Sequence, residues 1–249
     1  MSEAPSGSGD SHPLLPELWK VGQFAAALAG LALALCGDPV NAPLVGALGG
    51  LLGIITPGRR ARAARFIKQV AEAGNGRGAD AVQKLALQLQ AAGPSDPVVE
   101  LFLEYLEAVI RDEEGEKGDY YANLFIWSRT GEPRPPSTQV SAFFRLLKQL
   151  GIRDIRIIRF IHGLFLAQPG EQFGDKIQIY VEQHLKKESD LRTRTGADFQ
   201  HWIYTGSFLL SRGLLESRSS PQLGTDSPVY LKPELVQFMT ACFGGEALG

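Results

Sequence analysis

Two long uncharged segments near the N-terminus restrict the possible folds of this chain more than any other feature. Residues 21–37 contain no Asp, Glu, Lys or Arg over 17 residues, and residues 39–58 contain none over 20. As helices they would be roughly 25 and 30 Å long, close to the bilayer core thickness of about 30 Å. Gly37, Asp38 and Pro39 supply a turn between them. The pattern therefore predicts an apolar helical hairpin over residues 21–58.

The glycines of this segment follow the spacing found where helices pack closely. Several keep another small residue four positions away, which lets two apolar helices approach each other in lipid. In a water-exposed helix each glycine would cost about 1 kcal/mol relative to alanine. We therefore assign a helix-packing role in the membrane to Gly30, Gly46, Gly49, Gly50 and Gly53.

A basic cluster follows the hairpin directly and contains Arg59, Arg60, Arg62 and Arg65. Cations beside an apolar segment favour the cytoplasmic headgroup side of a membrane. We expect these arginines to face lipid headgroups and the bulk of the chain to lie on the cytoplasmic side of the cytoplasmic membrane. Membrane lipid is the expected partner, and the hairpin is expected to insert or to mediate homo-oligomerisation.

Two other interpretations of the same segment stay open. Gly, Asn and Pro offset much of the insertion energy of the large apolar residues, so a buried Gly/Ala-rich hairpin in a soluble cytoplasmic protein also fits. A lipoprotein signal ending at Cys36 is the other interpretation. It is opposed by Leu35, which is too large for the position before such a cysteine, and by an acidic leader.

The rest of the sequence predicts a mainly α protein. Hydrophobic residues make up 44% of the chain and its formal net charge is −2, which excludes wholesale disorder and a protein that binds nucleic acid through net charge alone. Residues 1–20, rich in Ser, Gly and Pro, predict a disordered tail. A helical period starting at Arg59 predicts a bundle over residues 59–131. A Gly/Pro-rich linker at 131–136 separates the bundle from a second helical domain at 137–245.

The sequence offers few groups for catalysis or metal binding. Glu100, Glu104 and Glu107 share one helix face, but no Glu-x-x-His motif accompanies them, so we expect a solvated acidic face. The four histidines lack the spacing of metal ligands, and no phosphate-binding glycine loop or nucleophile elbow occurs. We expect a non-enzymatic protein with no catalytic residue, metal, cofactor or small-molecule substrate.

The order of predicted elements in the second domain is typical of a winged helix-turn-helix. Two helices lead to a third that ends in GLLE (213–216), followed by a polar hairpin and a short strand. The sequence therefore predicts a winged-helix-like unit with a small β-hairpin. The third helix would read DNA, but its candidate readers are only Gln200 and His201.

Four segments resemble the bacterial abortive-infection alpha family and related uncharacterised proteins with an apolar Gly-rich leader. They are YYANL (120–124), LLKQLGIRDIRIIRFI (146–161), GLLE (213–216) and VYLKPELVQFMTAC (229–242). The resemblance covers about residues 95–245 and implies a phage-defence role through membrane-associated toxicity, without identifying catalytic residues. Gly151-Ile152 departs from the Ser-Pro or Thr-Pro helix cap of that family, and Lys232-Pro233-Glu234 departs from its Thr-Pro-Leu-Gly start of the last helix.

A soluble DNA-binding regulator or a protein-interaction module is the alternative function. Its phosphate contacts would come from cations near the predicted reader helix: Lys186, Lys187, Arg192 and Arg194. Arg153, Arg156 and Arg159 form a second basic group, which equally suits the solvated face of an amphipathic helix. Nucleic acid is thus a second candidate partner, beside lipid.

Overall fold

A computed structural model describes residues 57–92, 96–167, 171–173, 176–179, 192–193, 195–217 and 229–244. Within these ranges the chain is mainly helical with a small antiparallel sheet, which confirms the predicted mainly α class. The helices are α1 (Pro57–Asn75), α2 (Ala79–Ala92), α3 (Pro97–Arg111), α4 (Lys117–Thr130), α5 (Ser137–Gln149), α6 (Ile152–Ala167), α7 (Phe199–Ser211) and α8 (Pro233–Phe243). The strands are β1 (Glu171–Phe173), β2 (Lys176–Ile179), β3 (Leu215–Ser217) and β4 (Val229–Leu231).

The N-terminal predictions fall almost entirely outside the described residues. These are the tail at 1–20, the hairpin at 21–58 and its five packing glycines. Pro57 and Gly58, assigned above to the hairpin, instead begin α1, because proline is favoured at the first helical position. Among the helices of the described ranges, none combines the length and the apolar character needed to cross a membrane.

The chain divides into two compact units, with the boundary between Arg111 and Asp112. The sequence predicts a later domain boundary, at the Gly/Pro-rich linker of residues 131–136. That segment lies inside the second unit, because α4, which precedes it, packs against both α5 and α8, which follow it.

Among the described residues of the first unit, α1 packs against α2 and α3. Phe66 and Ile67 form part of the buried stripe of α1, and the Phe66 ring lies 5.6 Å from that of Phe102 on α3. The α3 helix begins after Asp96, whose carboxylate accepts a hydrogen bond from the Val98 amide at 2.7 Å, as an N-cap residue does. Its interior side chains are Val99, Phe102, Tyr105, Leu106, Ala108 and Val109.

Aromatic side chains form much of the core of the second unit. Tyr120 and Leu124 of α4 are buried, and Trp127 stacks on Phe143 of α5 with ring centroids 5.5 Å apart. Phe143 in turn meets Phe238 of α8 edge to face at 5.5 Å. The aromatic side chains of α4 therefore pack against α5 and α8 in the core.

The sheet of the second unit has the strand order β1-β2-β4-β3, with all neighbours antiparallel. Leu231 of β4 pairs with Ile177 on one side and with Leu215 on the other. Gly213 ends α7 in the left-handed region at φ 67°, a conformation that favours glycine, and directs the chain into β3. The β1-β2 hairpin was not predicted, because its alternation of isoleucine with polar residues is short and lies within a Gln/Glu-rich segment.

Candidate functional site

The predicted headgroup-facing arginines occupy the first three turns of α1. Arg65 is exposed, Arg59 and Arg62 are partly exposed, and the Nε atom of Arg62 is buried. Arg60 lies in the first turn. Lys68 continues the series as an exposed residue, and the first acidic residue of the helix is Glu72.

The cations at the start of α1 are unfavourably placed relative to the helix dipole. The N-terminus of a helix carries partial positive charge and favours carboxylates, yet the first turn of α1 contains no acidic residue. Each misplaced cation costs about 0.3–1 kcal/mol at low ionic strength. The arginines therefore do not stabilise α1 through its dipole.

The predicted phosphate contacts are only partly described. Arg192 is exposed, whereas Lys186, Lys187 and Arg194 lie outside the described residues. Arg156 of the second basic group forms an ion pair within the protein, with its Nη2 atom 2.6 Å from Glu116 Oε1. This hydrogen bond raises the pKa of Arg156. Arg153 and Arg159 are exposed, so this group keeps two cations at the surface of α6.

Two carboxylates replace the missing side-chain cap at the start of α6. Gly151 precedes the helix and has no side chain to offer, but its amide donates to Asp154 Oδ2 at 2.8 Å. The Ile152 amide donates to Glu114 Oε2, also at 2.8 Å. Glu114 comes from the segment before α4, 38 residues away. Carboxylates from two different segments therefore cap the start of α6.

A buried lysine lies beside this helix start. The side chain of Lys117 is 5% exposed, and its Nζ atom lies 2.8 Å from Asp112 Oδ2 and 3.7 Å from Glu114 Oε2. The Tyr121 hydroxyl donates to the same Asp112 oxygen at 3.3 Å. Burial, reinforced by the nearby Asp112 charge, raises the pKa of Tyr121. Lys117 is thus paired as buried charges require.

A second polar cluster joins α6 to α7. The Thr205 hydroxyl donates to Asp154 Oδ1 at 2.5 Å, and His201 Nε2 lies 3.2 Å from the same oxygen. In the structure, Asp198 caps α7 by accepting from the His201 amide at 2.8 Å. His201 therefore connects α7 to α6 through Asp154.

His162 and Cys242 belong to the interior. His162 is 2% exposed between the rings of Phe165 and Phe243, and burial together with nearby Arg159 lowers its pKa. Burial raises the pKa of the Cys242 thiol, which disfavours the reactive thiolate. Neither group has the environment of a catalytic residue.

Within the described ranges, no group of three or more His, Cys, Asp and Glu side chains is placed to hold a metal ion. On α3, Glu100 and Glu104 are exposed, and Glu107 forms an i, i+4 ion pair with Arg111 at 2.5 Å.

The sequence analysis did not predict the polar network around the start of α6. One sequence signal could have indicated it. Gly151 has no side chain to cap the helix that follows, and several carboxylates lie close together in the segment before α4, at residues 112–116.

Comparison with known proteins finds no matching family model, no matching curated protein and no matching solved structure. The resemblance to the abortive-infection alpha family therefore stays a prediction from the sequence.

Proposed function

We propose that the chain is a non-enzymatic, membrane-associated bacterial protein of the abortive-infection, phage-defence type. It contacts lipid through the apolar segment at 21–58 and meets anionic headgroups through the start of α1. The observation that carries this proposal is the continuity of the two features. Helix α1 begins at Pro57, at the end of the uncharged segment, and its first cations follow at once.

Electrostatic attraction gives the proposal a magnitude. Each Lys or Arg near an anionic membrane surface contributes about 1 kcal/mol, so three cations give about 3 kcal/mol, or roughly a hundredfold in binding. The apolar segment adds affinity that does not depend on lipid charge. The phage-defence part of the proposal is supported by the four sequence segments quoted above.

The test is co-flotation of the full chain with phosphatidylcholine vesicles and with vesicles containing phosphatidylglycerol. The test variant carries Arg59→Gln, Arg60→Gln and Lys68→Gln, which leaves the buried Nε of Arg62 in place. The control variant removes the same charge from exposed positions elsewhere: Arg77→Gln, Lys84→Gln and Lys148→Gln. We expect the test variant alone to lose its preference for anionic vesicles. Absence of the wild type from both vesicle fractions would refute the proposal, as would equal loss in the control.

A second candidate function, DNA binding by a winged helix, is favoured by the order of elements in the second unit. Helix α6 precedes β2, α7 precedes β3, and β4 lies between β2 and β3 in the sheet. We infer a winged-helix-like unit from this order. Its reader helix would be α7, whose 13 residues include no Lys or Arg. A duplex-binding assay at low salt tests it: binding should weaken steeply with salt and fall when Lys186, Lys187, Arg192 and Arg194 are neutralised.

A further inference from the structure

Four cations of the second unit lie where three chain segments meet. Arg145 and Lys148 belong to the C-terminal half of α5, and both are exposed. Arg212 directly follows α7 and is also exposed. Lys232 lies between β4 and α8 and is partly exposed. We refer to these four side chains as the basic corner.

Direct contacts hold the three segments side by side. The Nη2 atom of Arg212 donates a hydrogen bond to Gln149 Oε1 at 2.8 Å, which connects the end of α7 to the end of α5. Gln149 lies one turn after Arg145 on the same face of α5. The Lys232 amide donates to the Leu214 carbonyl at 3.2 Å, beside the turn that follows α7. The basic corner is therefore one continuous surface.

The cations of the basic corner are not neutralised within the protein. Among the residues that the structure describes, no carboxylate oxygen lies within 4.0 Å of any of the four. The closest carboxylates in the sequence, Glu216 and Glu234, leave the cations in excess. Arg156, by contrast, is paired with Glu116. The corner thus keeps a local positive charge, although the formal net charge of the chain is −2.

Aromatic rings hold two of the cations in position. The Lys148 ammonium lies 5.4 Å from the ring centroid of Phe144, and the Arg212 guanidinium lies 5.3 Å from that of Phe208. A cation over a ring is attracted to it electrostatically. Because these side chains are already ordered, they lose less conformational freedom when they bind a ligand.

We propose that the basic corner binds the phosphate backbone of double-stranded DNA without reading its sequence. Lys and Arg charges attract phosphates, and a guanidinium can donate two parallel hydrogen bonds to one phosphate. Ser and Gln side chains also contact DNA backbones, and Ser211 and Gln149 are exposed beside these cations. The inference rests on the second candidate function, DNA binding, and adds cations to those named there.

The side chains around the corner favour DNA over an anionic membrane. Segments that lie on a bilayer surface combine cations with apolar side chains that enter the bilayer. In the described part of the chain, the exposed large apolar side chains are Leu87, in the first unit, and Tyr204, two turns before Arg212 on α7. The corner itself offers charges and hydrogen-bonding groups, but no exposed large apolar side chain.

The test measures the affinity of the full chain in detergent for a short fluorescent duplex of mixed sequence, by anisotropy at several salt concentrations. The test variant, Arg145→Gln with Lys232→Gln, leaves the ring-stacked Lys148 and Arg212 in place. Each lost phosphate contact lowers the slope of log affinity against log salt by about 0.9. We therefore expect the slope to fall by about 1.8, and the affinity at about 0.1 M salt to fall about 60-fold.

The control variant, Arg129→Gln with Arg134→Gln, removes the same charge from other exposed positions of the second unit and should leave the slope unchanged. A wild type that does not bind the duplex even at low salt would refute both this inference and the second candidate function. Duplex binding with an unchanged slope in the test variant would refute this inference alone.

Two further outcomes would also overturn the proposal. Equal losses in the test and control variants would show that binding follows net charge and not the basic corner. If the test variant loses binding to phosphatidylglycerol vesicles but keeps its affinity for the duplex, the corner contacts lipid. Circular dichroism of each variant checks that the helical content is retained.

Discussion

Replacing Lys117 with methionine should destabilise the second unit by about 3 kcal/mol, because removing one partner of a buried ion pair leaves an uncompensated charge. At 2.8 Å and an effective dielectric constant of about 20, the attraction between Lys117 and Asp112 is about 6 kcal/mol. Desolvation of both groups offsets much of this attraction. Asp112 also keeps its hydrogen bonds from the Tyr121 hydroxyl and the Glu114 amide. The expected loss therefore lies at the lower end of the range for buried pairs.

Urea unfolding followed by tryptophan fluorescence measures this loss. Trp127 and Trp202 both lie in the second unit, and Trp19→Phe in all variants removes the remaining tryptophan. Lys148→Met, which changes an exposed lysine, is the matched control and should cost less than about 0.5 kcal/mol. Adding Asp112→Asn to Lys117→Met should recover part of the loss, since the unpaired carboxylate is gone. A cost below about 1 kcal/mol for Lys117→Met, or no recovery in the double variant, would contradict this reasoning.

Two further predictions concern the interior of the second unit. The pKa of His162 is lower in the folded chain than the usual 6.5, so the unfolded chain binds more protons as the pH falls below that value. The urea midpoint should therefore fall between pH 7.5 and pH 5 more steeply in the wild type than in His162→Leu, and equal slopes would contradict it. In a Cys36→Ser variant, the buried Cys242 thiol should react with a thiol reagent only in denaturant, and rapid labelling of the folded chain would show that the site opens.

The starts and ends of some helices could be predicted because local signals determine them. Proline at the first position predicts the start of α8, and the apolar period carries it to Phe243, where the structure also ends it. The Asp96-Pro97 pair likewise marks the start of α3. These signals lie within one or two turns of the boundary that they determine, so a single sequence suffices to find them.

The polar network around α6 could not be predicted, because its partners are distant in the chain. Glu114 caps a helix that begins 38 residues later, and Thr205 binds an aspartate 51 residues before it. The sequence does not distinguish the roles of Glu100 and Glu114. In the structure Glu100 is exposed to water, whereas Glu114 accepts a hydrogen bond from the Ile152 amide of α6. Only tertiary structure separates carboxylates that face solvent from those that satisfy a helix terminus.

The pairing of Ser217 with Val229 makes the segment between them a suitable site for inserting a peptide tag. The ladder from Leu215 to Ser217 fixes the two ends of the 11-residue connection side by side. Lengthening a flexible chain segment between two fixed ends costs little, about 0.6 kcal/mol for each doubling of its length. An epitope or fluorophore tag inserted near residue 223 should therefore leave the register of β3 and β4 intact. Such a tag would let the second unit be followed in living cells without altering either chain terminus.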